Sequence, residues 1–254
     1  MQFFTSGGIR LAYIDVPPES GTGDPILLIH GFASNHAVNW VNTLWVTTLT
    51  RAGFRAIAFD NRGHGQSDKL YRAEDYDSSV MAGDAARLLD HLGIERADVM
   101  GYSMGARIAA HLAVIAPARV RSLLLGGLGI RLVHGVGLPL NIADAMEAPS
   151  LDSLKDPMQR MFRAFAEQTR SDLQALAACI RGSRQTLSED EVAAIAVPTL
   201  VSVGTTDTVA GSAQQLADIM PKARALDIPG RDHNLAVGDK VHKQGVLDFL
   251  ASRP

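Results

Sequence analysis

The sequence predicts an α/β fold, with a mostly parallel twisted sheet of about eight strands, helices on both faces and a small helical cap. Short apolar runs without polar alternation are typical of parallel strands that are covered on both faces. Longer segments with helical spacing separate these runs, and that alternation is characteristic of α/β proteins. One stretch in the second half has helical spacing and no clear strand, which predicts the cap.

The first predicted element is an antiparallel hairpin, formed by residues 3–5 and 9–16 around Gly7-Gly8. Each later strand is a short apolar run bounded by turn signals. We expect six such strands, at residues 26–29, 54–59, 97–100, 120–125, 199–203 and 225–228.

Two helices between the strands are marked by apolar stripes. The first follows a capping serine, Ser78 or Ser79, and stops at Gly93. The second follows residue 103 and ends before Pro117. The stripes comprise Val80, Ala85, Leu88, Leu89 and Leu92 in the first helix, and Met104, Ile108, Leu112 and Ile115 in the second.

We expect one core domain, residues 1–129 and 197–254, interrupted by a helical cap at residues 130–196. The strand pattern resumes after the cap, so the cap is an insertion and not an independent domain. Its methionine and aromatic side chains fit a lid over an apolar pocket, although helices packing on their own core account for at least half of them. These side chains are Met146, Met158, Met161, Phe162 and Phe165.

Charge and composition argue against several function classes. The 24 Lys and Arg against 27 Asp and Glu give a net charge of −3, with no basic stripe for nucleic acid. The single cysteine, Cys179, makes no internal disulfide, and no His or Cys spacing predicts a metal site. We expect no leader peptide, and no apolar segment reaches the length of a membrane-spanning helix. We therefore expect a cytoplasmic monomer or homodimer that needs no cofactor or metal and binds no nucleic acid or membrane.

The strongest functional signal is a Gly-x-Ser-x-Gly pattern between a predicted strand and a predicted helix. So tight a strand-to-helix turn leaves no room for side chains at the flanking positions, which glycine satisfies. The strain pushes the serine hydroxyl outward, and the helix start directs N–H groups at the reacting centre. We interpret this serine as a nucleophile and not as the cap of a Gly-rich turn. The motif is Gly101-Tyr102-Ser103-Met104-Gly105.

A serine nucleophile requires a base, and the base requires an orienting acid. Asp207 follows the strand at 199–203, and His233 follows the strand at 225–228. Both therefore lie at the carboxyl ends of parallel strands, where such sheets place ligands. Asp232 and Asp60 compete for the role of the acid, but we interpret Asp232 as a turn residue and Asp60 as a cap for backbone N–H groups.

These segments together resemble the α/β-hydrolase superfamily over nearly the whole chain. The resemblance is strongest to the small bacterial branch of carboxylesterases, enol-lactonases and cofactor-free haloperoxidases or perhydrolases. Thr205 and Thr206 depart from the family pattern, in which an acidic or other polar residue often precedes the aspartate. The matching motifs are His30-Gly31-Phe32, the segment from Asp60 to Asp68, the Gly-x-Ser-x-Gly motif, and the downstream Asp207 and His233.

The resemblance implies a role for each candidate site residue. Ser103 is the implied nucleophile, His233 the general base and then acid, and Asp207 the residue that orients the imidazole. The implied oxyanion hole consists of the backbone N–H groups of Phe32 and Met104, each contributing about 3 kcal/mol of transition-state stabilisation.

We interpret the remaining notable residues as structural. His30 and His64 stabilise turns, and Cys179 fills a helical face. Two glycine-rich segments, Gly126-Gly127-Leu128-Gly129 and Gly21-Thr22-Gly23, lack the features of a phosphate loop and are interpreted as turns. Surface or helix positions are expected for His36, His91, His111, His134 and His242.

The leading hypothesis is an ester hydrolase that acts on small or medium acyl substrates through an acyl-enzyme. A lactonase, a cofactor-free perhydrolase or haloperoxidase, and a carbon–carbon bond hydrolase would use the same residues and stay open. Haloalkane dehalogenases and epoxide hydrolases of this fold carry aspartate where Ser103 stands. Outside enzymes, the alternative is a ligand-binding pseudoenzyme, against which the complete triad argues. The strained turn argues against a purely structural role, because it costs stability that only chemistry explains.

Overall fold

A single eight-stranded sheet organises the protein, whose computed structural model describes residues 1–20, 23–135 and 138–253. The strands are β1 (Gln2–Ser6), β2 (Ile9–Val16), β3 (Pro25–Ile29), β4 (Arg55–Phe59), β5 (Ala97–Tyr102), β6 (Val120–Gly126), β7 (Thr199–Gly204) and β8 (Ala223–Ile228). They lie in the order β1-β2-β4-β3-β5-β6-β7-β8. β2 is antiparallel to β1 and β4, and β3 to β8 run parallel. The predicted hairpin and fold class are confirmed.

Ten α-helices accompany the sheet in the described part of the chain. They are α1 (Trp45–Arg51), α2 (Ser78–His91), α3 (Met104–Ile115), α4 (Arg131–His134), α5 (Asn141–Glu147), α6 (Pro157–Gln168), α7 (Leu173–Gly182), α8 (Glu189–Ala193), α9 (Ala213–Ile219) and α10 (Lys240–Ser252). Short 3₁₀ turns occur at Ala73–Tyr76, Pro117–Arg119 and Leu151–Ser153, and a π-turn at Ala37–Val41.

The two faces of the sheet are covered by different helices. In β3, Ile26 and Leu28 point to the face that packs against α1 and α10. Leu27 and Ile29 point to the opposite face, which packs against α2, α3 and α9. Because both faces are buried, nearly every position in the central strands has to be apolar, which explains the unbroken apolar runs.

The start of α2 differs from its sequence prediction. Asp77, and not a serine, caps the helix, because its carboxylate accepts the N–H of Ser79 at 2.8 Å. Val80 is 40% exposed and therefore lies outside the buried stripe. Gly93 follows the helix with a φ of 64°, as the predicted stop requires.

Residues 130–196 contain α4 to α8 and, within their described part, no strand. Their buried side chains, including Ile142, Met146 and Leu176, join the same apolar cluster as one face of the sheet. The segment therefore packs directly onto the core. Val136 and Gly137 lie outside the described residues, as do Gly21 and Thr22 of one glycine-rich segment.

Candidate active site

Ser103 occupies the turn between β5 and α3 in a strained conformation. Its φ of 55° and ψ of −115° lie in a region that L-residues rarely adopt. A Cβ at Gly101 would lie 2.6 Å from Ala106 N, and one at Gly105 would lie 2.6 Å from the carbonyl carbon of Ile29. Only glycine fits at either position, as the steric interpretation of the motif predicts.

Ser103, His233 and Asp207 form a continuous hydrogen-bonded chain. His233 Nε2 lies 2.9 Å from Ser103 Oγ, and His233 Nδ1 lies 2.7 Å from Asp207 Oδ2. Asp207 follows β7 and His233 follows β8, so the parallel sheet brings together groups separated by up to 130 positions in the chain. The three residues selected from the sequence therefore meet at the carboxyl ends of their strands.

The surroundings of Asp207 determine the proton positions in this chain of hydrogen bonds. Its side chain is fully buried and accepts the N–H groups of Val209 at 2.7 Å and Ala210 at 3.0 Å. Burial alone raises the pKa of Asp207, but the hydrogen bonds from His233 and these amides hold it below its ordinary value. Because the carboxylate is ionised, Nδ1 of His233 carries the proton, and Nε2 accepts from the Ser103 hydroxyl.

A second set of contacts fixes the loop that carries His233. The Tyr102 hydroxyl donates to the backbone oxygen of His233 at 2.6 Å, and the two rings lie 5.6 Å apart. Trp45 Nε1 donates to Val237 O at 2.7 Å, four residues further along the loop. The sequence analysis did not predict these contacts of the His233 loop. The tyrosine at the variable position before Ser103 was the one residue that could have indicated them.

Three histidines expected at surface or helix positions are buried, although two of them, His111 and His242, do lie in helices, α3 and α10. His242 lies between Ser202 Oγ at 3.0 Å and Ala236 O at 3.1 Å, so it also supports the His233 loop. His36 and His111 are 7% and 5% exposed. Their burial depends on packing between distant elements, which local spacing does not reveal.

The loop after β3 lies directly against the strained turn. A Cβ at Gly31 would lie 3.4 Å from the Cβ of Ser103, and the N–H of Gly31 donates to Asn39 Oδ1 at 3.1 Å. The next residue is Phe32, and Met104 follows Ser103 in the chain. Within the described residues the N–H groups of Phe32 and Met104 have no protein acceptor. Both N–H groups are therefore available to a ligand oxygen.

Asp60 serves the backbone, as the sequence interpretation proposes. Its carboxylate accepts the N–H groups of His36 and Gln66, both at 2.8 Å, and contacts the His36 ring at 2.8 Å. Burial raises the pKa of Asp60, but the hydrogen bond from His36 and the charges nearby lower it to about 2. Asp232 is exposed and caps a turn through the N–H groups of Asn234 and Leu235.

Two cavities meet at Ser103. The larger, of about 320 Å³, is lined by Tyr102, His233 and several apolar side chains, including Phe162 and Phe165 of α6. The smaller, of about 60 Å³, is lined by Met104, Arg107, Leu128, Leu138, Ile180, Ser183, Arg184 and Val209. Ser103 and Phe32 line both cavities, whereas His233 lines only the larger one.

No cluster of three or more His, Cys, Asp or Glu side chains suitable for a metal ion occurs among the described residues. Cys179 is fully buried beside Met104, with 3.6 Å between the sulfurs, and burial raises the pKa of its thiol to about 12. It is therefore an inert packing residue at neutral pH. Over the same described ranges, no helix has the length and apolar character needed to cross a bilayer.

Comparison with known proteins agrees with this architecture. A family model described as the α/β-hydrolase fold matches residues 24–134. The chain is 33% identical over 249 residues to a Mycobacterium tuberculosis protein named as putative non-heme bromoperoxidase BpoC, covering 89% of this chain and 91% of that one. The chain belongs to the α/β-hydrolase superfamily. Within it, the chain falls in the haloperoxidase-like branch and is an enzyme of the hydrolase type.

Further relatives of this α/β hydrolase cover its full length. It is 28% identical to a non-heme haloperoxidase of Rhodococcus erythropolis, over 99% of this chain and all of that one. The crystal structure of a hydrolase from Pseudomonas aeruginosa matches with a TM-score of 0.80, 26% identity and coverage of 99% and 98%. The enol-lactonase of Burkholderia xenovorans, at 20% identity and a TM-score of 0.76, shares the fold over 99% of this chain and all of that one.

Proposed function

We propose that this α/β hydrolase is a serine hydrolase that cleaves carboxylic esters of small or medium acyl groups through an acyl-enzyme. Ser103 is the nucleophile, His233 the general base and then acid, and Asp207 the orienting carboxylate. The observation that carries the proposal is the unbroken chain of hydrogen bonds from Asp207 through His233 to the strained Ser103. Backbone strain of this kind persists where the surrounding structure holds it for function.

The reaction follows from the proton positions. Ser103 Oγ attacks the ester carbonyl as its proton passes to His233 Nε2, and the oxyanion accepts the N–H groups of Phe32 and Met104. The imidazolium then protonates the departing alcohol, which leaves an acyl group on Ser103. Water, deprotonated by His233, attacks the acyl-enzyme and releases the acid.

The two cavities receive the two parts of the ester. His233 protonates the leaving group, and it lines only the larger cavity, so the alcohol part binds there. The acyl part then occupies the smaller cavity on the other side of Ser103. Residues 130–196 act as the cap in this proposal, since α6 lines the alcohol side and Ile180 with Arg184 line the acyl side.

The test is hydrolysis of p-nitrophenyl acetate and butyrate by the wild type and Ser103→Ala. We expect the variant to lose activity by about 10⁴-fold or more, and a fluorophosphonate to label only the wild type. Ser153→Ala, at an exposed position in the cap, is the matched control and keeps full activity. Near-wild-type turnover by Ser103→Ala refutes the proposal, and stoichiometric binding without turnover by the wild type identifies a pseudoenzyme.

Cofactor-free perhydrolysis is a second candidate, favoured by the relatives named as non-heme haloperoxidases. A carboxylic acid would acylate Ser103 with loss of water, and hydrogen peroxide would attack the acyl-enzyme to release a peracid that oxidises bromide. Bromination of monochlorodimedone in acetate buffer with peroxide and bromide measures this activity. Bromination that persists in Ser103→Ala excludes this route.

A further inference from the structure

The acyl-side cavity contains a buried cation that the ester mechanism leaves unexplained. Arg107 is on α3, one helical turn after Ser103, and is 8% exposed. Its guanidinium donates to Gln185 O at 2.7 Å and to Arg131 O at 3.4 Å. Among the described residues, no carboxylate oxygen lies within 4.0 Å of it. Within the described residues, two backbone carbonyl oxygens are therefore the hydrogen-bond acceptors of the Arg107 guanidinium.

The other buried arginines of the described chain show what Arg107 lacks. Arg62 contacts Asp84 at 2.7 Å, and Arg163 contacts Glu167 at 2.8 Å. A buried charge without a counter-charge is unfavourable, because the protein replaces its hydration only in part. Burial and, secondly, the nearby Arg184 lower the pKa of Arg107 to about 10, so the group still carries its proton at neutral pH.

A second cation faces the same cavity. Arg184, which follows α7, lines it, and its guanidinium donates to Leu138 O at 2.9 Å. Like Arg107, it has no carboxylate partner within the described ranges. The remaining walls are largely apolar, with Leu128, Ile180 and Val209 among them. Two guanidinium groups thus face one small apolar cavity next to Ser103, and no acidic residue in the described part of the chain pairs with either of them.

The size of the cavity limits what could supply the missing negative charge. Its volume of about 60 Å³ holds about four water-sized groups. Arg107 is four residues after Ser103, which corresponds to about 6 Å along the helix axis. A carboxylate joined to the reacting carbonyl by two or three carbon atoms matches this distance, whereas a long acyl chain exceeds the volume.

We propose that this cavity binds a carboxylate on the acyl part of the substrate, so that the enzyme prefers half-esters of short dicarboxylic acids to uncharged esters of equal size. The inference rests on the proposed ester hydrolysis and names its substrate class. A guanidinium has five N–H donors, of which Arg107 uses two on backbone carbonyls. The remaining donors can hold a carboxylate in the bidentate geometry that arginine favours.

The test compares monobenzyl succinate with benzyl 4-oxopentanoate, in which a methyl ketone replaces the carboxylate at nearly the same volume. We expect kcat/KM for the succinate to exceed that for the ketone about 10- to 100-fold, the strength of a charge-assisted hydrogen bond. Arg107→Met and Arg184→Met are expected to reduce this ratio, and Arg107→Lys to retain part of it. Arg51→Met, at a side chain that is 70% exposed, is the matched control.

A ratio near one in the wild type overturns the inference but leaves the serine hydrolase intact. If folded Arg107→Met keeps the wild-type ratio, the arginine only supports the backbone, which also overturns the inference. Should Arg107→Met fail to fold, the wild-type and Arg184→Met ratios decide. Calorimetric binding of both esters to Ser103→Ala tests the carboxylate preference without turnover, so failure of the proposed hydrolysis is distinguished from failure of the subsite.

Discussion

Replacing Gly105 by alanine tests the steric argument for the strained turn. The new methyl group would lie 2.6 Å from the carbonyl carbon of Ile29 and 2.7 Å from His30 O, whereas ordinary contacts begin at 3.4 Å. The carbonyl oxygen of Ile29 would be closer still, so the neighbouring atoms must move by more than about 0.8 Å. They belong to Ile29, the last residue of β3, and to His30 after it, and β3 is hydrogen-bonded on both sides within the sheet, so they yield only at high cost.

The expected magnitude is the difference between two effects. Helix propensity favours alanine over glycine by up to about 1 kcal/mol. Overpacking against a fixed neighbour costs about 1–3 kcal/mol or more, and here the neighbour is backbone. We expect a net loss of about 2 kcal/mol in the free energy of unfolding. Because the same backbone leads into the Phe32 loop, kcat should also fall by about 100-fold, as for a displacement approaching 1 Å.

Urea unfolding and p-nitrophenyl acetate hydrolysis measure the two effects. Gly83→Ala in α2 is the matched control, because the atoms nearest to its methyl group would be those of the Arg87 guanidinium, at 3.2 Å. A flexible tip can move by the required few tenths of an ångström, so this variant should gain about 0.5–1 kcal/mol with unchanged kcat. If Gly105→Ala matches Gly83→Ala in both stability and kcat, the steric argument is wrong.

Three further predictions concern the site and its support. Asp207→Asn should lower kcat by about 10⁴-fold, because the amide holds the His233 imidazole in the wrong tautomer. The control, Asp232→Asn, should lose less than about tenfold in kcat. Equal losses in the two variants would contradict the choice of Asp207 as the acid. Tyr102→Phe should lower kcat about 2- to 10-fold with little change in KM, because the His233 loop loses one hydrogen bond. An unchanged kcat would exclude this positioning role for Tyr102. Burial lowers the pKa of His242 from 6.5 to about 4, so the unfolded chain takes up a proton first as the pH falls. The free energy of unfolding should therefore decrease as the pH falls from about 6.5 to 4, by up to about 1.4 kcal/mol per pH unit for this group. Urea titrations that show no decrease over this range would contradict the lowered pKa of His242.

Elements of the fold were predictable from the sequence because local pattern dictates them. A strand buried on both faces needs an apolar side chain at nearly every position, so the runs at 26–29 and 120–125 locate β3 and β6 within one residue at each end. The helix cap was less certain, since Ser78, Ser79 and Asp77 all suit that role, and the carboxylate of Asp77 makes the contact.

The sequence also indicated which site residues would meet. Chemistry requires a serine, a base and an acid, and the turn at Ser103 and the strand ends before Asp207 and His233 left few candidates. The catalytic roles of Ser103, Asp207 and His233 remain a proposal, which Ser103→Ala and Asp207→Asn test. The supporting contacts of Tyr102, Trp45 and His242 were not predictable, because each joins segments far apart in the chain.

The sequence alone predicted the eight strands in chain order, the helices α2 and α3, the glycines at the strained turn and the candidate site residues, since these follow from backbone sterics and local periodicity. Only the tertiary structure decided the two unequal cavities beside Ser103 and the burial of Arg107 without a carboxylate partner. The position of an arginine in a helical sequence pattern is the same whether its side chain faces solvent or a buried cavity. The difference depends on where residues 130–196 pack against α3, which is a balance of many weak, distant contacts.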